Sequence, residues 1–188
     1  TTRRYAIALA SCLIGVSPAW ADDNADNENA CLEGDMAQFG RYVGDWKIVD
    51  ESFARDGSGW TEGKGARWIF KCIGDGTAIQ DFWMPNGGGW GTNLRTYNPD
   101  TKTWEIVWAA SGQKGLQHIT AKQADDGRIV MDIVKPVPNP PRRIVFYPPD
   151  EDGWTWAQQW TLDGGESWFD VYHIIATPYS PPASEPAQ

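Results

Sequence analysis

The chain has 188 residues, of which 41% are hydrophobic, so it can form one domain with an apolar core but not two large ones. Its formal net charge of −9 disfavours binding to phosphate backbones and to anionic lipid surfaces, and we predict no nucleic-acid partner. The twelve tryptophans predict either a very aromatic core or an aromatic-lined pocket, because each indole buries a large area.

The first residues have the pattern of a secretory signal. Arg3 and Arg4 precede a short apolar run, and the Ala-Trp-Ala sequence at 19–21 has small residues where signal peptidase cleaves. We predict a signal peptide over 1–21, a secreted or periplasmic location in a bacterium, and no integral membrane segment once the signal is removed. A lipoprotein box ending at Cys12 is the alternative.

The segments on either side of the central domain are polar. We predict an acidic flexible leader over 22–38, a barrel domain over 39–177 and a Pro-rich disordered tail over 178–188. The stretch 35–42 allows a short helical turn.

Two cysteines, Cys31 and Cys72, remain after removal of the signal. In an oxidising compartment such a pair is a disulfide candidate, and we predict the bond. Two unpaired thiols are the alternative. Closing a loop of this length would stabilise the fold by up to about 4 kcal/mol in the chain-entropy model.

Short strands separated by turn residues follow one another through the central domain. Alternating apolar and polar residues, bounded by Gly, Pro, Asn and Asp, predict these strands, and no long stretch has helical periodicity. The predicted strands, in chain order, cover 45–53, 67–73, 77–84, 91–97, 103–110, 116–123, 128–135, 142–147, 154–162 and 168–177.

The last two strands have the clearest pattern. Large side chains occupy every second position from Trp154 to Leu162, which places them on one face of a strand. The Asp-Gly-Gly sequence at 163–165 then predicts a hairpin turn, because these residues tolerate the positive φ that tight turns require.

Strands joined in sequence by tight turns form a meander, and closing the meander into a barrel removes its unpaired edges. The predicted fold is therefore all-β: a closed antiparallel up-and-down β-barrel of about 8–10 strands, rather than a sandwich, with disordered termini. A barrel of this size encloses either packed side chains or one small ligand.

Several motifs resemble those of a known family. Gly44-Asp45-Trp46 opens the first strand, where lipocalins and other calycins carry Gly-x-Trp. The segments 91–99, 104–108, 126–127 and 163–168 resemble, in order and spacing, the DUF1579-type family of uncharacterised bacterial lipocalin-like proteins. The resemblance spans 39–177. It implies a calycin-type barrel, usually with a small-molecule cavity, and no established shared chemistry.

One departure from the family pattern concerns Trp46. In lipocalins a basic residue of the last strand packs over the tryptophan of the Gly-x-Trp motif, whereas here that strand ends in the uncharged residues 174–178. Either Trp46 lacks this cover, or Arg41 or Arg67 provides it.

Aromatic and polar side chains within the predicted strands are the candidates for a ligand site. The candidate ligand-binding residues are Trp46, Trp68, Phe70, Trp83, Arg95, Trp108, Trp156 and Gln158. In one interpretation the indoles simply fill the barrel, and in a second they wall a pocket for a flat apolar ligand. In a third, several tryptophans such as Trp60 and Trp90 lie outside and stack on sugar rings.

The candidate catalytic residues are His118, His173 and Asp132. On an apolar strand face each histidine is either a hydrogen-bonded core residue or, if it points inward, an acid–base group. For the carboxylates, an ion pair between Arg95 and either Asp81 or Asp132 is the alternative to acid–base chemistry. The spacing of His, Cys and Asp favours no metal site, and we predict no metal and no cofactor.

The leading hypothesis is an exported lipocalin-like barrel that binds a small hydrophobic or aromatic molecule in a Trp-lined cavity. One alternative is a cofactor-independent barrel enzyme, an isomerase, cyclase or lyase, that uses His or Asp acid–base chemistry. The other is a carbohydrate-binding module that uses exposed tryptophans. The sequence predicts neither the identity of the ligand nor the oligomeric state.

Overall fold

The computed structural model describes residues 30–181. The predicted signal peptide, the Cys12 lipid anchor, the first part of the leader and most of the tail lie outside these residues. Among the residues described, no helix is long and apolar enough to span a bilayer.

The described chain is almost entirely β-structure. Three short helical turns come first, at Ala30–Leu32, at Gly34–Met36 and at Ala37–Gly40, the last of which is α1. The strands are β1 Gly44–Phe53, β2 Trp60–Glu62, β3 Ala66–Ile73, β4 Ala78–Pro85, β5 Gly91–Asn98, β6 Thr103–Ala110, β7 Gln117–Gln123, β8 Ile129–Lys135, β9 Arg142–Phe146, β10 Trp154–Trp160 and β11 Phe169–Pro178.

The strands form a closed antiparallel barrel, as predicted. Each strand from β3 to β10 pairs with the next in the chain, and β1 pairs with both β3 and β11, which closes a ring of ten strands. No edge of this ring is left unpaired, so the barrel avoids the exposed backbone donors of an open sheet. The additional strand β2, which the sequence analysis does not predict, pairs with the last residues of β1.

The two ends of the barrel differ. The helical turns and the turns at 74–77, 99–102, 124–128 and 147–153 lie at one end, called here the closed end. The turns at 86–90, 111–116, 136–141 and 161–168 lie at the other, called here the open end.

An aromatic cluster fills the closed end. Phe39 packs edge-on against Trp104 with ring centroids 4.9 Å apart, and Tyr42 lies 5.2 Å from both Phe146 and Trp154. The Tyr42 hydroxyl donates to the backbone carbonyl of Tyr147 at 2.9 Å, and burial raises the pKa of Tyr42 to about 12. Burying each of these rings contributes roughly 1.5–3 kcal/mol, so the aromatic cluster stabilises this end of the barrel.

A disulfide joins the helical turns to the barrel wall, as predicted. Cys31 and Cys72 are bonded with their Cα atoms 5.8 Å apart, and Cys31 is fully buried. The first helical turn, Ala30–Leu32, and the second, Gly34–Met36, lie within the range 22–38, for which the sequence predicts a flexible leader. They form a lid over the closed end because Phe39 and the disulfide both anchor them.

Trp46 packs against aromatic neighbours and not under an arginine. Its ring lies 5.7 Å from that of Trp154, and its Nε1 donates to the carbonyl of Tyr42 at 2.8 Å. The guanidinium of Arg67 stacks on the ring of Tyr179, and Arg41 stacks on Tyr42. Of the two alternatives, the first is therefore confirmed: neither Arg41 nor Arg67 stacks on Trp46, which lacks the basic cover.

Candidate functional site

A cavity of about 250 Å³ lies inside the barrel. Inward-facing side chains of strands β3 to β11 form its wall. The lining residues are Trp68, Trp83, Asn93, Arg95, Trp108, Gln117, Ile119, Met131, Ile133, Arg142, Ile144, Phe146, Trp156, Gln158, Tyr172 and Ile174. The barrel is therefore not completely filled by its own side chains.

The cavity reaches toward the open end. Its deep wall is made of residues that are almost inaccessible to solvent, such as Arg95 at 0% and Met131 at 2% exposure. The lining residues that stand closest to the open-end turns, including Trp108, Gln117 and Arg142, are only partly buried. A molecule entering from that end would pass these polar and aromatic groups before it reached the deep wall.

Six of the eight predicted ligand-binding residues line this cavity. They are Trp68, Trp83, Arg95, Trp108, Trp156 and Gln158. The other two do not line it: Phe70 packs within the aromatic core, 5.8 Å from Trp154, and Trp46 contacts that same tryptophan at the closed end. Phe70 and Trp46 point into the barrel, as strand alternation predicts, but they lie between the cavity and the closed end, where they belong to the packed core.

Trp108 lies against the backbone of β5 because residue 91 is glycine. A Cβ at Gly91 would stand 2.1 Å from Cη2 of Trp108, which is closer than any real contact. The glycine that opens the motif at 91–99 therefore gives the indole its place in the cavity wall.

A buried ion pair stands at the deep wall. Arg95 Nη2 lies 2.6 Å from Asp81 Oδ2, and both side chains are fully buried. Asn93 donates to the same carboxylate twice, from its backbone N and from Nδ2, each at 2.9 Å. Of the two ion pairs that the sequence allows, the one with Asp81 is therefore confirmed and the one with Asp132 is wrong.

Several N–H groups at the cavity have no hydrogen-bond acceptor among residues 30–181. They are Nε and Nη1 of Arg95, Nε1 of Trp68 and Nε of Arg142, all of them inaccessible to solvent. Arg95 Nη2 meets Asp81 as an ion pair without the angles of a hydrogen bond. The guanidinium of Arg95 is held by ring faces, with its Cζ 4.9 Å from the centroid of Phe39 and 5.1 Å from that of Phe70.

Arg142 and Tyr172 line the cavity, although sequence reasoning did not single them out. Arg142 alternates with Ile144 and Phe146 along β9, and this alternation was the available signal. Tyr172 shares the inward face of β11 with Ile174 and not with His173. The apolar row that His173 shares in the sequence, with Phe169, Val171 and Ile175, lies on the outer face, where Val171 is nevertheless buried, at 8% exposure.

The carboxylate of Asp50 fixes the orientation of Tyr172. The tyrosine hydroxyl donates to Asp50 Oδ2 at 2.6 Å, and the backbone N of Gly65 donates to Oδ1 at 2.7 Å. Burial, together with the bond to Asp50, raises the pKa of Tyr172 well above its usual value. Tyr172 therefore stays neutral and offers only its oxygen lone pairs to the cavity.

All three candidate catalytic residues lie outside the cavity. His118 and Asp132 are exposed on the outer face of the barrel, and His173 is half-buried there, between Glu51 and Asp170. Their strands place Gln117, Ile133 and Tyr172 inward instead. The inward orientation that acid–base chemistry in the cavity requires is therefore wrong for these residues.

Burial alone would lower the pKa of His173, but hydrogen bonds to Asp170 and Glu51 outweigh it and raise the pKa. One ring nitrogen of His173 lies 2.7 Å from Asp170 and the other 3.0 Å from Glu51, while its ring stacks on Trp60 at 4.2 Å. Within residues 30–181, no group of three or more His, Cys, Asp or Glu side chains is arranged to hold a metal ion.

Comparisons with known proteins agree with the architecture. No protein-family model matches the chain, and no curated protein is significantly similar to it. Among solved structures it is similar to an S-type phycobiliprotein lyase from Guillardia theta, with a TM-score of 0.54 and 9% identity over 82% of this chain and 97% of that chain. At this identity the likeness shows the fold alone, a lipocalin-like β-barrel. The narrower resemblance to the DUF1579-type family receives no support from the family models.

Proposed function

We propose that the protein is an exported lipocalin-like barrel that binds a small hydrophobic or aromatic molecule in its cavity. The observation that carries this proposal is a space of about 250 Å³ bordered by four indoles, those of Trp68, Trp83, Trp108 and Trp156. A dry apolar cavity of about 150 Å³ accommodates one benzene in another protein, so this space suits a molecule of about two fused rings.

The aromatic wall supports binding of a flat ligand. Trp68 and Trp83 meet edge to face at 5.0 Å, and Trp156 meets Tyr172 in the same way at 5.7 Å. These contacts hold the rings in place before a ligand arrives, so little side-chain entropy is lost on binding. We assign the ligand-binding role to the six predicted residues that line the cavity and extend it to Arg142 and Tyr172.

Export is the second part of the proposal. The disulfide between Cys31 and Cys72 is typical of proteins that fold in an oxidising compartment. The pattern of residues 1–21 is that of a secretory signal. Together they support a secreted or periplasmic barrel.

The test is titration of the purified protein with 1-naphthylamine, a neutral two-ring probe whose emission shifts to the blue in apolar surroundings. We expect saturable binding that Trp108→Ala weakens by about tenfold, since an aromatic contact and its buried area are lost. Trp90→Ala is the matched control because Trp90 is 53% exposed and does not line the cavity. The proposal fails if no saturable binding occurs, or if the two variants bind the probe equally.

A carbohydrate-binding surface is the second candidate. Trp60 and Trp90 are 40% and 53% exposed, and both lie near the open end. Exposed indoles of this kind stack on sugar rings. Retention on a polysaccharide column that is lost in Trp60→Ala or Trp90→Ala but kept in Trp108→Ala would favour this candidate over the cavity.

A further inference from the structure

We propose that the cavity selects an aromatic monoanion, an arenecarboxylate of about two rings, over neutral molecules of the same size. The proposal rests on the proposed function, because it names the ligand class of the same cavity. Two independent observations carry it: the hydrogen-bonding groups left without partners and the charges along the wall.

The buried polar groups of the cavity are short of acceptors. Arg95 has two N–H positions without an acceptor, and Trp68 has one, although both side chains are at most 4% exposed. Donors left unpaired in a buried place are costly, and native proteins nearly always satisfy them. A carboxylate has only acceptor oxygens, so it satisfies these groups without adding a donor of its own. Tyr172 adds no competing donor, because its hydroxyl proton is directed to Asp50.

The charges of the wall leave one positive charge unmatched. Two arginines line the cavity, Arg95 and Arg142, and no Asp or Glu lines it. Asp81, which does not line the cavity, neutralises the charge of Arg95. Among the described residues no carboxylate lies within ion-pair distance of Arg142. Asp50 stands behind Tyr172, to whose hydroxyl it is hydrogen-bonded, and does not line the cavity. Among the lining side chains, the positive charge of Arg142 is therefore the one that no carboxylate pairs, and a single anionic group would pair it.

This local charge contrasts with the rest of the molecule. The whole chain has a formal charge of −9, which repels anions at long range. That repulsion is screened over about 8 Å at physiological salt, whereas charges inside a cavity of low polarity are screened much less. An anion bound in the cavity therefore responds mainly to the charges of the cavity wall. A dianion would lack a second unmatched charge, and this limits the ligand to one negative group.

The test compares two probes of the same shape by isothermal titration calorimetry. Naphthalene-2-carboxylate carries the negative charge, while naphthalene-2-carboxamide keeps the rings and one acceptor but has no charge. We expect the carboxylate to bind at least about tenfold more tightly, because hydrogen bonds to charged groups are about twice as strong as neutral ones.

Variants of Arg142 assign the effect to the cavity. Arg142→Gln should remove the advantage of the carboxylate, so that the two probes bind this variant with similar affinity, whereas Arg142→Lys should retain most of the advantage. Arg143→Gln is the matched control, since it removes the same charge one residue further on, where the side chain bonds Gln159 Oε1 at 2.7 Å and stacks on Trp168 outside the cavity. Trp68→Phe should weaken both probes, because it removes the indole donor and keeps a ring.

The outcomes separate this proposal from the one on which it rests. If 1-naphthylamine binds but naphthalene-2-carboxylate and naphthalene-2-carboxamide bind equally, the cavity binds neutral rings and the inference of an anionic ligand is overturned. The inference is also overturned if Arg142→Gln and Arg143→Gln reduce carboxylate binding to the same extent. If none of the three probes binds, the proposed function itself fails.

Discussion

Arg95 and Asp81 form the most deeply buried ion pair of the described chain, with both side chains at 0% exposure. Two charges that leave water together are tolerated only when each finds partners. Asp81 does so through its ion pair with Arg95 and two hydrogen bonds from Asn93. The carboxylate of Asp81 therefore has several partners, whereas two nitrogens of the Arg95 guanidinium, Nε and Nη1, have no hydrogen-bond acceptor within residues 30–181.

Removing the charge of Asp81 should therefore be severe. We expect Asp81→Asn to lower the free energy of unfolding by about 3–5 kcal/mol, because it leaves the buried charge of Arg95 uncompensated. Urea unfolding followed by tryptophan fluorescence measures this change.

Asp45→Asn is the control for that experiment. Asp45 pairs with Arg67, and these side chains are 34% and 41% exposed. An exposed pair is worth at most about 1 kcal/mol, so this variant should remain close to the unchanged protein. Equal losses for the two variants would show that burial does not strengthen the Arg95 pair.

At the residue scale, strand alternation predicted the inward positions of Trp68, Arg95 and Trp156 correctly. Strand alternation could not predict the positions of these side chains along the barrel axis. That position explains why Trp68 lines the cavity and Phe70, two residues further along β3, does not. Local bonding also overrode the pattern at the last hairpin. Leu162 is 79% exposed, and Thr161 is buried instead, because its hydroxyl bonds Asp163 and the backbone of Gly165.

Among the elements, β1 has two different neighbours on one side. Its first half pairs with β3 over Gly44–Ile48, and its last residues pair with β2 over Glu51–Phe53. Between these pairings the wall is interrupted at 63–65, and the backbone N of Gly63 donates to the carbonyl of Asp50 at 2.7 Å. β2 is not predicted from the sequence because Gly63 and Gly65, which follow it directly, have the pattern of a turn.

The pairing of β1 with β11, which closes the barrel, includes a histidine that responds to pH. His173 lies opposite Glu51 in the register, and its pKa is raised by the carboxylates of Glu51 and Asp170 in spite of partial burial. Since the folded-state pKa exceeds the unfolded value of about 6.5, the stabilisation is complete below that pH and is lost as the pH rises through the folded-state pKa.

We therefore expect His173→Gln to destabilise the protein more at about pH 5.5 than at about pH 8.5. Urea unfolding at the two pH values measures the difference. His118→Gln is the control, because that histidine is exposed on β7. A loss of stability in His173→Gln that is the same at both pH values would contradict the charge-based explanation and leave only the stacking on Trp60.

For the molecule as a whole, the disulfide decides how firmly the lid of helical turns belongs to the barrel. The bond spans 41 residues, and closing a loop of that length removes about 4 kcal/mol of unfolded-state entropy. We expect the double variant Cys31→Ala, Cys72→Ala to unfold at a lower temperature by about 8–16 °C. Differential scanning calorimetry with and without reductant measures this change in melting temperature.

Reductant provides the control for this experiment. It should lower the melting temperature of the unchanged protein to nearly that of the double variant, and it should leave the variant unaffected. A shift of less than about 2 °C on reduction would mean that packing of Phe39 and Tyr42 alone holds the turns in place.

The architecture of the whole barrel could be predicted because each strand carries its own alternation and its own turn. The cavity could not, since its volume depends on how ten strands tilt and stagger around a common axis. Twelve tryptophans are compatible with a filled barrel or an open one. Only the packed arrangement shows that the aromatic cluster occupies the closed end and leaves space above it.

Both ends of the described chain leave the barrel on the same side. The helical turns lead into β1 at Gly44, and β11 ends at Pro178. The start of β1 and the end of β11 both lie at the closed end, away from the opening. A sensor chip, bead or fluorescent partner attached through either end would hold the barrel upright, with its entrance toward the surrounding solution. Attachment through the turn at 86–90 would instead cover the entrance.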